Sequence, residues 1–373
     1  MNIVRRISLS RLLLLCGLVV ALGISLTAIA SALDSGPTPA RKPLADAVHN
    51  ALTAPAVEGV SASVQLTDHL LEGANLASGG GSGGGGAAGE LSSSPLISGA
   101  SGRLWIAKDG RVRLELQAEK GDTQILYDGH TLSLYDASSN TLYRYTPPAG
   151  HEPATPGPDS TPAHEVPTVA KVEEAVSRLE RHANVSAATP TDVAGQAAYT
   201  VRISPKESGS LFGGVELSWD AVHGVPLRAA IYSSTNSSPV IELAASEVSY
   251  GPVPDSVFAI NPPAGVKIKE VSTSHTDGAN GSHPASAADK PSLTTHGHGP
   301  TAIAVLESKS QAGAGKSASE PLEGLPKVAI NGASASELRT ELGTLLSFER
   351  SGVHYVLAGS VTPAAIEAFA RGL

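Results

Sequence analysis

Alternating apolar and polar side chains recur in two blocks of short segments along this chain. In the segment 111–116, Val112, Leu114 and Leu116 alternate with two arginines and a glutamate. A period of two is typical of a β-strand that buries one face. The same pattern predicts further strands at 103–107, 124–127, 131–135, 141–145, 197–204, 214–220, 227–233 and 240–250. Because short turns rich in Gly, Asp, Asn and Pro separate these segments, we expect largely antiparallel pairing.

Two segments instead show the helical spacing of apolar residues. The segment 44–52 places Leu44, Ala47, Val48 and Ala51 on one face, and Pro55 follows shortly after it. The segment 168–181 places Val169, Val172, Val176 and Leu179 on one face, with charged residues turned away. Each pattern predicts an amphipathic helix that needs a sheet to cover.

The C-terminal part of the chain predicts a few further elements. A short apolar strand is expected at 301–306, and a hairpin is expected from 344–349 and 353–359 across Ser351 and Gly352. A final helix begins with Thr362 as N-cap and Pro363 in its first turn, buries Ile366 and Phe369, and ends at Gly372. We expect the hairpin and helix, within 327–373, to pack on the same domain as the preceding strands.

The first residues have the composition of an export signal. Arg5, Arg6 and Arg11 precede a segment, 12–32, without any charged residue. Small residues close it at 28–30 and 30–32, which predicts a cleaved signal peptide over residues 1–32. However, the apolar run approaches the ~20 residues that span a bilayer, so an uncleaved anchor stays open as an alternative. Both alternatives place the rest of the chain outside the cytoplasm, in the cell envelope or secreted.

Two finer features of this segment favour ordinary interpretations. The only cysteine, Cys16, follows Leu15 rather than the small residue that a lipid-acceptor cysteine needs, so we interpret it as an apolar residue of the signal. The Arg5-Arg6 pair resembles a twin-arginine signal only loosely, because Ile7, Ser8 and Leu9 fit that pattern poorly.

The net charge restricts the kinds of binding partner, and the composition limits the size of the packed core. Removing residues 1–32 removes three arginines and no acidic residue, so the formal net charge goes from −9 to −12, which argues against nucleic acid as a partner. Aromatic residues are only 4%, whereas there are 39 Gly and 26 Pro. We therefore expect one domain at 41–271, interrupted by a Gly-rich insertion at 77–94 and a Pro-rich linker at 146–167, and followed by a low-complexity linker at 272–326.

Candidate catalytic or metal-binding residues have simpler explanations. The histidines of the low-complexity linker at 272–326 lack the spacing that fixes a coordination geometry. We therefore expect them to be linker residues and not metal ligands: His275, His283, His296 and His298. Asp128 and Asp136 occupy predicted turns, where aspartate stabilises the backbone. No nucleophile elbow, zinc-protease motif or phosphate-binding loop occurs. We therefore expect a protein that is not an enzyme and needs no cofactor or metal.

The alternating apolar residues are the candidate ligand-binding set. Ordinary core packing against the two helices explains any one of them. If they line an unfilled groove, the same side chains could also seat an apolar ligand. The predicted set is Trp105, Leu114, Leu116, Leu132, Leu134, Leu142, Val201, Leu217 and Trp219.

Four segments together resemble the LolA-like superfamily, which includes lipoprotein carriers and the RseB/MucB sensors. The segment 125–145 resembles its central hairpins, and 194–206 resembles its next strand. The segment 215–232 resembles its strand-turn unit with Gly-x-Pro-Leu-Arg, and 253–268 its closing Phe-x-x-x-Pro-Pro-Gly element. The resemblance covers roughly 60–268, and a weaker one covers 355–373.

This resemblance implies a mainly β, α+β fold in which a strongly curved antiparallel sheet forms an unclosed half-barrel around helices. It implies an envelope protein that sequesters or carries a lipid or an acylated lipoprotein in an apolar cavity, without covalent chemistry. The alternative is an RseB/MucB-like, membrane-associated regulator whose contact with a membrane-protein partner depends on ligand occupancy. The sequence leaves the ligand, the choice between these functions and the oligomeric state open.

Overall fold

The structure is a computed structural model that describes residues 36–72, 74, 99–118, 121–147, 166–259, 262–271, 292–309 and 325–373. The predicted signal segment, the Gly-rich insertion, and His275 and His283 lie outside these residues. Three α-helices occur within them: α1 (Leu44–Leu52), α2 (Val169–Leu179) and α3 (Pro363–Arg371).

Thirteen strands of the described residues form one large sheet. They are β1 (Gly59–Asp68), β2 (Ala100–Ala107), β3 (Val112–Ala118), β4 (Gly121–Tyr127), β5 (Leu132–Asp136), β6 (Thr141–Tyr145), β7 (Ala183–Val185), β8 (Thr189–Val193), β9 (Gln196–Pro205), β10 (Phe212–Asp220), β11 (Pro226–Ser233), β12 (Pro239–Tyr250) and β13 (Lys267–Val271).

The order of these strands leaves the sheet open. It runs β13-β6-β5-β4-β3-β2-β1-β12-β11-β10-β9-β7, with β8 also paired to β9. All pairs in this sheet are antiparallel except β13 with β6, among the residues described. The sheet is curved and does not close into a barrel, which confirms the predicted fold class.

The register divides the large sheet into two chemically different faces. On one face, which we call the apolar face, Ala62 of β1 lies beside Leu104 of β2, and the same row continues through Leu114, Ile125 and Leu134. On the other, the polar face, Ser63 of β1 lies beside Arg103, followed by Glu115 and Gln124. Successive side chains of a strand point to opposite faces, so this division follows from the period of two in the sequence.

Helix α1 covers the β9–β10 end of the apolar face. Leu44, Ala47, Val48 and Ala51 of this helix pack with the apolar residues of β9 and β10. Between β10 and β11, Gly224 adopts φ +69°, and a Cβ atom built there would lie 2.3 Å from the carbonyl oxygen of Ala51. The close approach of α1 therefore requires glycine in this turn.

A segment after β12, described at 253–259 and 262–266, lies on the polar face and leads into β13. We call it the strap. Its 3₁₀ turn (Asp255–Phe258) packs Phe258 with Ala107 and Leu126, and Trp105 adjoins the same cluster. The Arg113 guanidinium donates to the carbonyl oxygens of Val257 at 2.7 Å and Ala259 at 3.2 Å. The strap thus carries the chain from the middle of the sheet to its edge, where β13 joins β6 in parallel.

The C-terminal residues form a second, six-stranded antiparallel sheet. Its order is β14-β15-β19-β18-β17-β16, and α3 packs on one face. The strands are β14 (Ser292–His296), β15 (Ile303–Lys309), β16 (Lys327–Ile330), β17 (Ala333–Arg339), β18 (Thr344–Arg350) and β19 (Val353–Gly359).

This small sheet has its own core, which includes Ile303, Leu346, Phe348 and Leu357 of its strands and Ile366 of α3. The sequence analysis predicted β15, the β18–β19 hairpin and α3, but not the strands β14, β16 and β17. The assignment of residues 327–373 to the same domain as the large sheet stays a prediction. The structure shows in addition that these residues belong to a sheet with a core of its own.

Backbone hydrogen bonds join the two sheets at the start of β10. Ser210 forms a β-bridge with Val361, and Leu211 N donates to Ser360 O at 2.8 Å. At a second point, Glu341 N donates to Leu70 O at 3.1 Å. We call these contacts the junction.

We expect Gly224→Ala to lower the free energy of unfolding by more than the ~1–3 kcal/mol that a strained left-handed residue costs, because the added methyl group also displaces α1. Urea denaturation followed by circular dichroism measures it. Gly195→Ala is the matched control, because Gly195 has φ +73° with no atom within 4 Å of the built Cβ. Equal losses in the two variants would show that α1 does not depend on this contact.

Candidate functional site

The structure places most of the predicted ligand-binding residues on the apolar face. By register, Leu114 and Leu134 share one row, Val201 and Leu217 share another, and Trp219 lies beside Tyr199. Leu116 and Leu132 also belong to this face. Their role in binding stays a prediction, but seven of the nine residues lie on one surface.

Trp105 and Leu142 lie on the polar face instead, so the nine predicted residues do not all lie on one surface. Trp105 alternates with Leu104 and Ile106, which point to the apolar face, and Leu142 pairs with Tyr135 on the polar face. Both side chains adjoin the strap. Leu142 is completely buried and helps to line a pocket of about 170 Å³ together with Arg113, Gln124, Leu126, Tyr135, Pro262 and Pro263. Their apolar character is thus explained by packing under the strap.

The apolar face is covered unevenly. At its β9–β10 end, Val201 and Trp219 are 7% and 5% exposed beneath α1. In the centre, Val64, Leu66 and Leu116 are buried, and the described hydrophobic side chains that pack with them come from strands of the same sheet, not from a helix. The curvature of the sheet therefore provides the cover at its centre.

Larger apolar side chains stay accessible on both sides of this centre. Leu132 of β5 is 42% exposed and Leu217 of β10 is 40% exposed. Half-buried neighbours on the same face are Leu114, Ile125, Tyr127, Leu134, Val215 and Ile231. Each 100 Å² of apolar surface left in water forgoes about 2.5 kcal/mol of hydrophobic stabilisation. This accessible apolar surface is the candidate site.

A buried polar cluster holds the turn at one end of the face, and sequence reasoning missed it. The Asp220 carboxylate is 2% exposed; it accepts hydrogen bonds from the backbone of Val222 and His223 at 2.7 and 2.8 Å and from the Tyr250 hydroxyl at 2.6 Å. The His223 ring lies 4.0 Å from the Tyr250 ring. The Asp-Ala-Val-His-Gly turn after a strand was the available signal, since aspartate at such a position bonds the backbone two residues on.

This cluster shifts two pKa values. Burial raises the pKa of Asp220, but the hydrogen bonds from Tyr250, His223 and Val222 outweigh it, so the net pKa lies below the ordinary value. Burial, and then the hydrogen bond to Asp220, raise the pKa of Tyr250. The Asp220 carboxylate is therefore ionised at neutral pH, and the hydrogen bonds that it accepts stabilise the turn, which gives it a structural role.

Four charged residues on the polar face of β9 to β12 form a paired network. Arg228 contacts Glu216 and donates to Glu242 Oε2 at 2.5 and 2.8 Å, and its Nη2 donates to the Tyr232 hydroxyl at 3.0 Å. Arg202 lies 4.0 Å over the Tyr232 ring. These contacts link neighbouring strands from β9 to β12.

The described residues contain no group of three or more His, Cys, Asp or Glu side chains suited to holding a metal ion. His296 lies in β14, where its ring packs 5.0 Å from that of Phe369. Within the same residues, no helix has both the length and the apolar composition needed to cross a membrane.

Comparisons with known proteins give similar solved structures but no match to a family model or a curated protein. The chain is similar to MucB of Pseudomonas aeruginosa, seen in a MucA/MucB complex, at 14% identity and a TM-score of 0.40, covering 88% of this chain and 96% of that one.

It is also similar to a LolA superfamily protein from Nitrosomonas europaea, at 9% identity and a TM-score of 0.19, covering 85% of this chain and 90% of the other. A putative outer membrane lipoprotein-sorting protein domain from Vibrio parahaemolyticus has 9% identity and a TM-score of 0.18, with the same coverage. These neighbours carry the names of the groups that the four segments of the sequence resemble.

We expect Tyr250→Phe to destabilise the protein by about 1.5–3 kcal/mol at pH 7, the usual contribution of a hydrogen bond to a charged group. Because the folded-state pKa of Asp220 is lowered, its contribution is complete above the unfolded value of ~3.9 and is lost as pH falls through the lower folded value. The cost of the substitution should therefore shrink as pH falls below the unfolded value of ~3.9, in urea denaturation from pH 2 to 7.

Tyr355→Phe is the control, because the Tyr355 ring stacks on Phe348 at 5.1 Å and its hydroxyl has no hydrogen-bond partner within the described part of the chain. A destabilisation by Tyr250→Phe that stays constant over the whole pH range would contradict the role assigned to the ionised carboxylate.

Proposed function

We propose that this chain is an exported cell-envelope protein that binds an acyl chain, as a lipid or as part of an acylated protein, against the apolar face of its large sheet. The observation that carries the proposal is the accessible apolar surface on both sides of the buried centre, including Leu132 and Leu217. Binding and release would occur by burial alone, without a covalent step.

An acyl chain suits this surface on energetic grounds. Burial of apolar area stabilises by about 25 cal/mol per Å², or about 0.8 kcal/mol for each methylene group. A long, flexible chain can follow a curved row of aliphatic side chains and needs few polar contacts. The absence of charged residues from the row Ala62, Leu104, Leu114, Ile125 and Leu134 supports an uncharged ligand segment there.

Export is the second part of the proposal and rests on the sequence. The basic start and the uncharged segment 12–32 support delivery to the cell envelope, with cleavage or retention as an anchor as the two outcomes. N-terminal sequencing of the protein from the envelope fraction separates them: a start near residue 33 supports cleavage, and an intact start in the membrane fraction supports the anchor.

A regulator whose contact with a membrane-protein partner depends on the ligand is the second candidate function, and the junction favours it. Leu211, which donates to Ser360 O at 2.8 Å, directly precedes β10, and Leu217 on β10 belongs to the candidate site. A ligand on the apolar face would thus contact β10, and the residue before β10 is hydrogen-bonded to the small sheet.

Native mass spectrometry of the exported protein, followed by lipid extraction, tests the proposal directly. We expect a near-stoichiometric acyl lipid to accompany the protein. A protein that is free of lipid and takes up none when challenged would overturn the proposed function.

We also expect Leu132→Gln and Leu217→Gln each to weaken binding of the fluorescent fatty acid cis-parinaric acid by about tenfold, because each loses about 1.4 kcal/mol of apolar contact. A fluorescence titration measures the affinity. Val222→Gln is the matched control, since Val222 is 66% exposed but lies in the turn after β10. If all three variants bind alike, the ligand does not use the apolar face.

A further inference from the structure

The free edges of the two sheets are protected in different ways, and one is not protected. An edge strand presents unpaired backbone N–H and C=O groups that attract other strands, and proteins block them with lysine, proline, bulges or very short strands. In the large sheet, β13 carries Lys267 and Lys269, β7 has three residues, and β8 contains Pro190. In the small sheet, β16 has four residues and begins with Lys327.

Strand β14 lacks the lysine, proline and bulge devices and is one residue longer than β16. Its five residues, Ser292–His296, include no lysine, arginine or proline, and its register with β15 runs without a bulge from Ser292↔Glu307 to His296↔Ile303. All five residues are exposed. β15 is its only partner strand within the described residues, so one edge of β14 offers its backbone groups.

An exposed apolar row ends at this edge. Leu293 is 70% exposed, the highest value among the large hydrophobic side chains described, and its neighbour on β15, Leu306, is 38% exposed. Val356 of β19 continues the row inward. The row lies on the opposite side of β14 from His296, whose ring packs on Phe369 of α3. An additional strand with an apolar residue beside Leu293 would extend this row and bury it.

We propose that β14 is a docking edge for an extended peptide segment of a partner protein, with apolar residues at alternate positions. Added to β14, the segment would become a seventh strand of the small sheet. Backbone hydrogen bonds supply the affinity in this mode of recognition, and the alternate side chains supply the specificity. This inference goes beyond the proposed ligand binding and uses a different part of the molecule.

The size of the edge favours a peptide over a second copy of the chain. Five residues of strand span about 17 Å. Stable interfaces between folded proteins bury about 1,200–2,000 Å², which the pairing of two such strands alone does not supply. A peptide requires only the strand edge and has no folded body to fit against α3 or the large sheet.

The test uses a peptide of alternating valine and threonine flanked by lysines, and a matched peptide in which consecutive backbone amides are N-methylated, so that both edges lose their donors. Hydrogen–deuterium exchange of the whole protein reports the amides of β14. We expect added protection in β14 with the first peptide and none with the second. Leu293→Lys should weaken binding at least tenfold, whereas Val222→Lys, at 66% exposure in the turn after β10, should leave it unchanged.

Three results would overturn the inference. Amides of β14 that are already fully protected in the free protein would mean that another part of the chain covers the edge. Protection that rises with protein concentration and is lost in Leu293→Lys would make a second copy the occupant. Equal weakening by Leu293→Lys and Val222→Lys would mean that the peptide binds through charge alone. Because fatty-acid binding uses the other sheet, its outcome is independent.

Discussion

The large sheet depends on one constraint: it is open, so each of its faces must be covered by other parts of the chain or stay accessible. In a closed barrel the apolar side chains would enclose themselves. Here α1 covers the β9–β10 end, where it packs on Val201 and Trp219, whereas Val64 and Leu116 at the centre pack with hydrophobic side chains of the sheet itself. What remains is an accessible apolar surface that includes Leu132 and Leu217. The geometry of the cover therefore sets the candidate site.

The opposite face is covered by a different element, the strap, which adjoins two residues of the predicted ligand-binding set. Alternation correctly predicted the strands that contain Trp105 and Leu142. It could not reveal that both lie under the strap, because their neighbours there, Val253 and Phe258 for Trp105 and Pro262 and Pro263 for Leu142, are more than a hundred residues away in sequence. A period of two shows that a strand has two faces, but it does not identify what covers each of them.

Other differences between sequence and structure have similar physical causes. The helix boundaries were predictable because Pro55, Thr168 and Thr362 are local signals, and Thr168 does accept a hydrogen bond from Lys171 N. Strand β13 is fully exposed and pairs in parallel, so it has no buried face to produce a pattern. Strand β14 lacks a pattern for the same reason. Of the other strands of the second sheet that the sequence analysis missed, β16 is short, and β17 buries the polar Ser336 and Glu337 beside Ala335, so neither shows an apolar alternation.

The junction determines how the two sheets act together. Ser210 Oγ donates to Ser360 O at 2.8 Å, and Ser234 Oγ donates to Ser210 O at 2.7 Å, so the start of β10 is held from both sides. Val361 leads from β19 to α3, and Gly359 of β19 pairs with Ile303, which in turn pairs with His296 of β14. Only paired backbone separates the apolar face on β10 from the edge at β14. Since each such hydrogen bond contributes only about 1 kcal/mol, the junction positions the two sheets, whereas their stability rests on their separate cores.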